Sequence, residues 1–253
     1  MANRSLLSGE IEILYEDDDI LVLNKPAGLV VHSDGKTEEP TLTDWILKNY
    51  PETESVGEPL QLKTINYKLK TVSRPGIVHR LDRETSGAMV VAKNQKAFES
   101  LKSQFQKGEV SKKYQAFVYG NIKEDKGIID RPIGRSRKDF RRYSAQRGAR
   151  GEMREAVTEY RVLKRAKDVS FIELIPKTGR THQIRVHLKA ISHPVICDSL
   201  YAPKRECLLG FKRLALHALE LGFKNLSGSQ VEVEAPYPPD FKGAIESFDS
   251  LTK

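Results

Sequence analysis

No stretch of these 253 residues approaches the 18 consecutive apolar positions that a membrane-crossing helix needs, so a helical span is not expected. Cysteine is scarce. Cys197 and Cys207 lie ten apart, belong to no CxxC and have no second pair beside them. A disulfide scaffold or a zinc site is therefore not expected, and a reducing compartment is the default. Both read as small buried hydrophobes or as free surface thiols. The opening, MANRSLLSGEIEILYEDDD, lacks the apolar stretch of a signal peptide before its acidic run, and reads as untargeted and cytoplasmic. Internal repeats, low-complexity tracts and a clear linker are also missing. What is present, 39% hydrophobic and 30% charged residues, is an ordinary globular composition. Its length suits one large domain or one domain with two lobes.

Charge is plentiful and unevenly placed. The net charge is +8, yet residues 1–60 carry 4 Lys or Arg against 13 Asp or Glu. The remainder is correspondingly basic. Its densest part is residues 131–154, with nine basic residues (Arg131, Arg135, Arg137, Lys138, Arg141, Arg142, Arg147, Arg150, Arg154) against Asp139 and Glu152. Concentrated positive charge attracts polyanions and speeds encounter with them. A solvated face that keeps the protein soluble, an acidic protein or a membrane surface remain open on charge alone.

Hydrophobic patterning predicts short strands at 11–15 and 20–24, then a helix over 41–50 with Leu42, Trp45 and Ile46 on one side. Residues 51–76 are polar and proline-punctuated, and are expected to form a loop or insert. Strand signals resume at 77–78 and 88–92. Asn94 is placed to cap a helix over 95–107, with Ala97, Phe98, Leu101 and Phe105 as its apolar stripe. Residues 113–119 suit a central strand. The arginine-rich segment reads as an exposed loop or ribbon that orders fully only against a counter-charge. Further strands are expected at 156–163, 169–175, 214–223 and 230–235, with a helix over 181–191 among them. Many strands and few helices indicate an α+β fold on a large, mainly antiparallel sheet.

Three segments set unusual polar groups beside strands. In GIVHRLDRETSGAMVV (76–91), His79, Arg80 and Asp82 follow a short apolar strand and precede a turn. A carboxylate between Arg80 and Arg83 is expected to stay ionised, which suits a nucleophile or a base; a surface ion-pair turn is the plain alternative. In VSKKYQAFVYG (110–120), Tyr114 lies on a strand beside Lys112 and Lys113. In PKTGRTHQIRVHLKAISHPVICD (176–198), His182, Arg185 and Lys189 share a helical face opposite Ile184, Leu188 and Ile191. His182, His187 and His193 do not have zinc spacing, and no metal is expected.

These segments resemble the RluA-type pseudouridine synthases. HRLDRETSG (79–87) has that family's signature form, KYQAFVYG (113–120) resembles its second motif and TGRTHQIRVHL (178–188) its third. NKPAGLVVH (24–32), RPIGR (131–135) and LHALELGF (216–223) add support, and the likeness runs from about residue 11 to residue 240. The resemblance implies a single catalytic domain over 1–253, with a mixed, mainly antiparallel sheet and flanking helices and loops around a central cleft. It also implies a member without the N-terminal S4-type domain that many relatives carry. Cys197 stands where relatives commonly have glycine before an aspartate.

The same resemblance implies the chemistry. Uridine is isomerised: the N1–C1′ bond breaks, the base turns, and C5 is rejoined to C1′, without a cofactor. By position Asp82 is the catalytic carboxylate, as nucleophile at C1′ or as base at the C2′ proton. Arg185 is expected to pair with it, and Tyr114 to stack on the uracil and take the C5 proton. Ile184 would pack beside the base. Arg80 would fill the space left by the flipped nucleotide, Arg180 would contact phosphate, and His79 would orient the Asp82 loop. Arg131, Arg135, Arg137, Lys138, Arg141, Arg142 and Arg147 would dock structured RNA, either ribosomal RNA or tRNA. No obligate protein partner is implied, and a monomer is expected.

Overall fold

The computed structural model describes residues 11–33, 39–63, 69–146, 149–166 and 168–251. Its strands in chain order are β1 (Ile13–Glu16), β2 (Ile20–Lys25), β3 (Leu60–Lys63), β4 (Leu69–Val72), β5 (Ser86–Ala92), β6 (Ser111–Tyr119) and β7 (Lys126–Asp130). They continue with β8 (Ile133–Arg135), β9 (Tyr143–Ser144), β10 (Arg150–Arg154), β11 (Val157–Ala166), β12 (Val169–Pro176), β13 (Leu216–Lys224) and β14 (Gln230–Glu234). The helices are α1 (Leu42–Asn49), α2 (Gln95–Lys107), α3 (Gln183–Ala190) and α4 (Pro239–Leu251), with a 3-10 turn at Pro51–Ser55. The fold is α+β, as expected. The chain forms two compact units, each assembled from two chain segments. None of the helices among the described residues is long and apolar enough to cross a membrane.

The first unit, Met1–Ser111 with Glu220–Pro236, is organised around β2 and β5. Strand β5 is buried at all seven positions, and β2 pairs with it antiparallel from Ile20–Ala92 to Lys25–Gly87. A strand buried on both faces reads as a continuous apolar run rather than an alternation, which is why 88–92 is legible in sequence. Helix α2 starts where predicted: the Asn94 side chain accepts from the Ala97 N–H at 3.0 Å, and Gly108 ends the helix at φ 73°. Its buried Ala97, Phe98 and Leu101 pack in one core with Val22, Val90, Leu221 and Phe223. Where the sequence suggested a loop or insert over 51–76, the described residues carry regular structure. They contain the 3-10 turn and the antiparallel pair β3–β4, whose strands are too short to show a period.

The second unit, Lys112–Leu219 with Tyr237–Lys253, holds an antiparallel run in the order β6-β12-β11-β7. Phe117 on β6 is fully buried, with the rings of Phe171, Phe211, Phe241 and Phe248 at 4.5 to 5.7 Å. Two of those rings come from α4, which the sequence reading did not anticipate, although Phe241, Ala244 and Phe248 are spaced for one helical face. Strand β7 was also missed.

The cysteines correct the opening expectation. Cys197 and Cys207 are joined by a disulfide with their Cα atoms 4.8 Å apart. Cys197 has φ 57°, the left-handed region that suits glycine, and this turn brings the chain back on itself within ten residues. Thiol titration of denatured, air-exposed protein should therefore find no free thiol before reduction and two afterwards. Two thiols before reduction would show the pair to be open in solution.

Candidate functional site

In the first unit the signature segment is fixed from below and from both sides. Gly76 enters it at φ 64°, its N–H on the Val56 carbonyl, where a Cβ would stand 2.1 Å from the Ala92 carbonyl oxygen. No other residue fits there. Ile77 and Leu81 are buried, while Asp82 is half-buried and closes a turn in which its carbonyl accepts from the Thr85 N–H at 3.1 Å. The next carbonyl, of Arg83, accepts from the Gly28 N–H at 2.8 Å and from Lys25 Nζ at 3.1 Å. The Lys25 side chain is fully buried and also donates to the carbonyls of Pro26 and Leu29. A buried ammonium is tolerated only when its protons meet acceptors, so this lysine knots NKPAG to the residue beside Asp82.

The neighbours of Asp82 have their own partners. His79 stacks on Phe105, ring centroids 4.5 Å apart, and its Nε2 accepts from the Val90 N–H at 3.0 Å. An accepting Nε2 belongs to the neutral ring, so His79 is fastened to β5 and α2. Arg83 does not flank the carboxylate in the way the sequence suggested: its guanidinium reaches back to Glu39 and the Gly28 carbonyl. Arg80 is exposed and donates to His32 Nε2 at 3.1 Å, while His32 Nδ1 donates to the Ser33 carbonyl at 3.0 Å. Burial, reinforced by the Arg80 charge, lowers the pKa of His32 and keeps it a neutral acceptor. Lys25 and His32 were missed as site residues. Their place in NKPAGLVVH was the available signal.

In the second unit Arg185, on α3, is held in a buried bidentate ion pair with Asp198, both bonds 2.8 Å. Asp198 Oδ1 also accepts from the backbone N–H groups of Leu200 and Tyr201, and the Tyr201 ring lies 5.1 Å beneath the guanidinium. The Tyr201 hydroxyl accepts from the Tyr143 N–H and shares a hydrogen bond with His182 Nδ1, each 3.0 Å. Asp198 is a site residue the sequence reading passed over. Between Glu173 and Glu206 it is the sole acid, and a buried arginine in that interval needs one.

His182 does not join the helical face of Arg185 and Lys189. It precedes α3 in the left-handed conformation, φ 55°, kept there by Tyr201 and by edge-on contacts to the Tyr143 and Tyr201 rings. His187 is fully buried: its Nε2 donates to the Arg131 carbonyl and its Nδ1 accepts from Thr158 Oγ1, both 2.9 Å. Burial lowers its pKa. His193 donates from Nδ1 to the Tyr119 carbonyl. The three histidines thus serve three separate structural contacts.

Tyr114 is half-buried on β6 opposite Leu174 and packs against the Phe117 core, to which Ile184 also belongs. Arg180 is exposed, with its Nε on the Glu155 carbonyl at 2.9 Å. Arg131 is exposed and donates to the Ala190 carbonyl at 2.9 Å.

The described residues of the arginine-rich segment form an antiparallel ribbon in the order β10-β8-β9, the ribbon alternative of the sequence reading. Ile133, Ala156, Val186 and Tyr201 form the small core beneath it. Arg135 lies over the Tyr143 ring at 5.5 Å. Asp139 pairs with Arg141 at 2.9 Å and Arg142 at 3.2 Å, and hydrogen bonds from Arg141 hold its carboxyl down to about 2. Arg137 and Lys138 are exposed, and Arg147 lies outside the described residues.

Residues 19–190 match the family model of RNA pseudouridylate synthases. An uncharacterized RNA pseudouridine synthase of Bacillus subtilis is 41% identical over 239 residues, covering 94% of this chain and 73% of that protein. The ribosomal large subunit pseudouridine synthase D of Zymomonas mobilis is 37% identical, over 92% of this chain and 71% of its own. The solved human RNA pseudouridylate synthase domain containing 4 superposes with a TM-score of 0.70 at 27% identity, over 97% of this chain and 95% of that one. With a turn-borne aspartate whose neighbour Arg83 is anchored by a buried lysine, a buried arginine on the third motif's helix and these likenesses over nearly its whole length, the chain belongs to the RNA pseudouridylate synthase family.

Proposed function

We propose that this RNA pseudouridine synthase acts on large-subunit ribosomal RNA, with Asp82 as its catalytic carboxylate. The observation that carries the assignment to Asp82 is the construction of its turn. A buried lysine, a neutral histidine and a required glycine hold the residues around it, yet Asp82 itself stays half-buried. Such preorganisation suits a group that must meet one atom of a substrate. Asp82 attacks C1′ or removes the C2′ proton. Tyr114 is the aromatic that receives the uracil and takes the C5 proton, and Arg185 is the cation of the same reaction. Ile184 packs beside the base, while Arg80, poised by His32, fills the space the nucleotide leaves. Arg180 contacts phosphate. The naming of relatives such as the Zymomonas mobilis protein supports the ribosomal substrate over tRNA, and a cytoplasmic place follows from that substrate.

The test is tritium release from ribosomal RNA fragments labelled at uridine C5. Isomerisation must free that hydrogen, because C5 becomes bonded to C1′. Binding without release would refute the assignment, and release from tRNA alone would refute the substrate.

The β8–β9–β10 ribbon is the docking element outside the pocket. Replacing Arg137, Lys138, Arg141 and Arg142 with glutamine should weaken RNA binding and flatten the plot of log affinity against log salt by at most about 3 units. The single-turnover rate at saturation should hardly change. An unchanged slope with a collapsed rate would show that the ribbon shapes the active site instead.

A further inference from the structure

The tip of the basic ribbon carries a feature that charge alone does not explain. Phe140 is 81% exposed, the most exposed large hydrophobic residue among those described. It sits between β8 and β9, directly among Arg137, Lys138, Arg141 and Arg142. A lone phenyl ring in water on a floppy loop would call for no account. This one is displayed by a built turn. The Ser136 N–H donates to the Arg142 carbonyl, and the Arg142 N–H to the Asp139 carbonyl, both at 3.0 Å. Asp139 binds the backbone and the guanidinium of Arg141 and pairs with Arg142. Arg135 reaches the Phe140 carbonyl, and the Lys138 N–H is held by Ser136 Oγ. The acid thus ties down two like-charged neighbours and leaves the ring outward.

We propose that Phe140 is a stacking platform for an unpaired base of the RNA, set at the apex of the ribbon. The inference rests on the reading of that ribbon as the docking element. A flat apolar ring surrounded by cations complements a strand whose backbone is anionic and whose bases have apolar faces. A base inside a duplex has both faces covered, so the platform selects loops, bulges and ends. Phe140 thereby contributes to choosing where along a folded RNA the enzyme settles. The charges around it fix the backbone without reading structure.

The experiment compares the full-length protein with Phe140→Ala, Phe140→Leu and Phe140→Trp. Affinity is measured for an RNA hairpin with an open loop and for a perfect duplex of the same length, across a salt series. Alanine and leucine should each lower hairpin affinity about 5- to 100-fold. Tryptophan should stay within about twofold of wild type. Duplex affinity and the hairpin salt slope should not move, because no phosphate contact is lost. Thermal stability should be unchanged, since the ring is exposed. A leucine variant as good as wild type overturns stacking in favour of a plain apolar contact. Equal losses on duplex and hairpin overturn the selectivity. No loss with any variant removes Phe140 from RNA binding and leaves its ring to a protein partner. Failure of the docking reading looks different: the glutamine variant would keep its salt slope while Phe140→Ala still lost hairpin affinity.

Discussion

Asp82→Asn should leave less than about 1% of wild-type turnover while RNA affinity stays within a few fold. The substitution is nearly isosteric, and the contacts that build the turn are made by neighbours. The carbonyl of Asp82 meets the Thr85 N–H, the carbonyl of Arg83 meets Lys25 and Gly28, and the His79 ring meets Val90. Asparagine retains all of these. What it loses is the negative oxygen that can attack C1′ or take the C2′ proton. Losing an anion from a surface that must approach phosphate also offsets part of any contact it removes. Single-turnover tritium release beside a binding titration separates the two effects. Residual turnover above about 1%, with wild-type contamination excluded, would remove Asp82 from the chemistry. A matching loss of affinity would make it a binding residue instead.

Asp198→Ala should destabilise the protein by about 3–5 kcal/mol, because it strands the Arg185 guanidinium in a buried site. The pair is deeply enclosed, with side-chain exposures of 8% for Arg185 and 0% for Asp198. Asp198 also holds two backbone N–H groups that would lose their acceptor. Adding Arg185→Met to Asp198→Ala removes the stranded charge and should recover much of that stability. Turnover should recover in neither variant. In the single variant the guanidinium loses its aim, and in the double it is gone. Urea unfolding of the wild type, both singles and the double closes the cycle. A cost below about 1 kcal/mol for Asp198→Ala would show that the ion pair does not organise this end of α3. Full activity in the double variant would exclude Arg185 from the reaction.

Local chemistry made much of this protein legible. Helix α2 could be placed from 95 to 107 because its cap, stripe and terminal glycine all lie within fifteen residues. Strand β5 showed as an unbroken apolar run, and the three motif segments could be quoted as they stand. The misses have different physical origins. The 3-10 turn and the β3–β4 pair hide in a polar stretch because four-residue strands carry no measurable period. The disulfide depends on a left-handed residue at 197, which spacing does not announce. Arg83 turned away from Asp82 because Glu39, 44 positions earlier, offers it a carboxylate.

The sequence by itself determined the α+β class, the order of the main elements, the basic segment and the residues that carry the family resemblance. Each of these is written in a window of a few residues, where periodicity, capping and motif spacing act. The tertiary structure alone decided the partners: Lys25 on the Arg83 carbonyl, Arg80 on His32 and Arg185 on Asp198. It also decided that each compact unit is completed by a distant piece of chain. A buried charge must find its counter-group wherever the fold brings one, and separation along the chain places no limit on which residue that is.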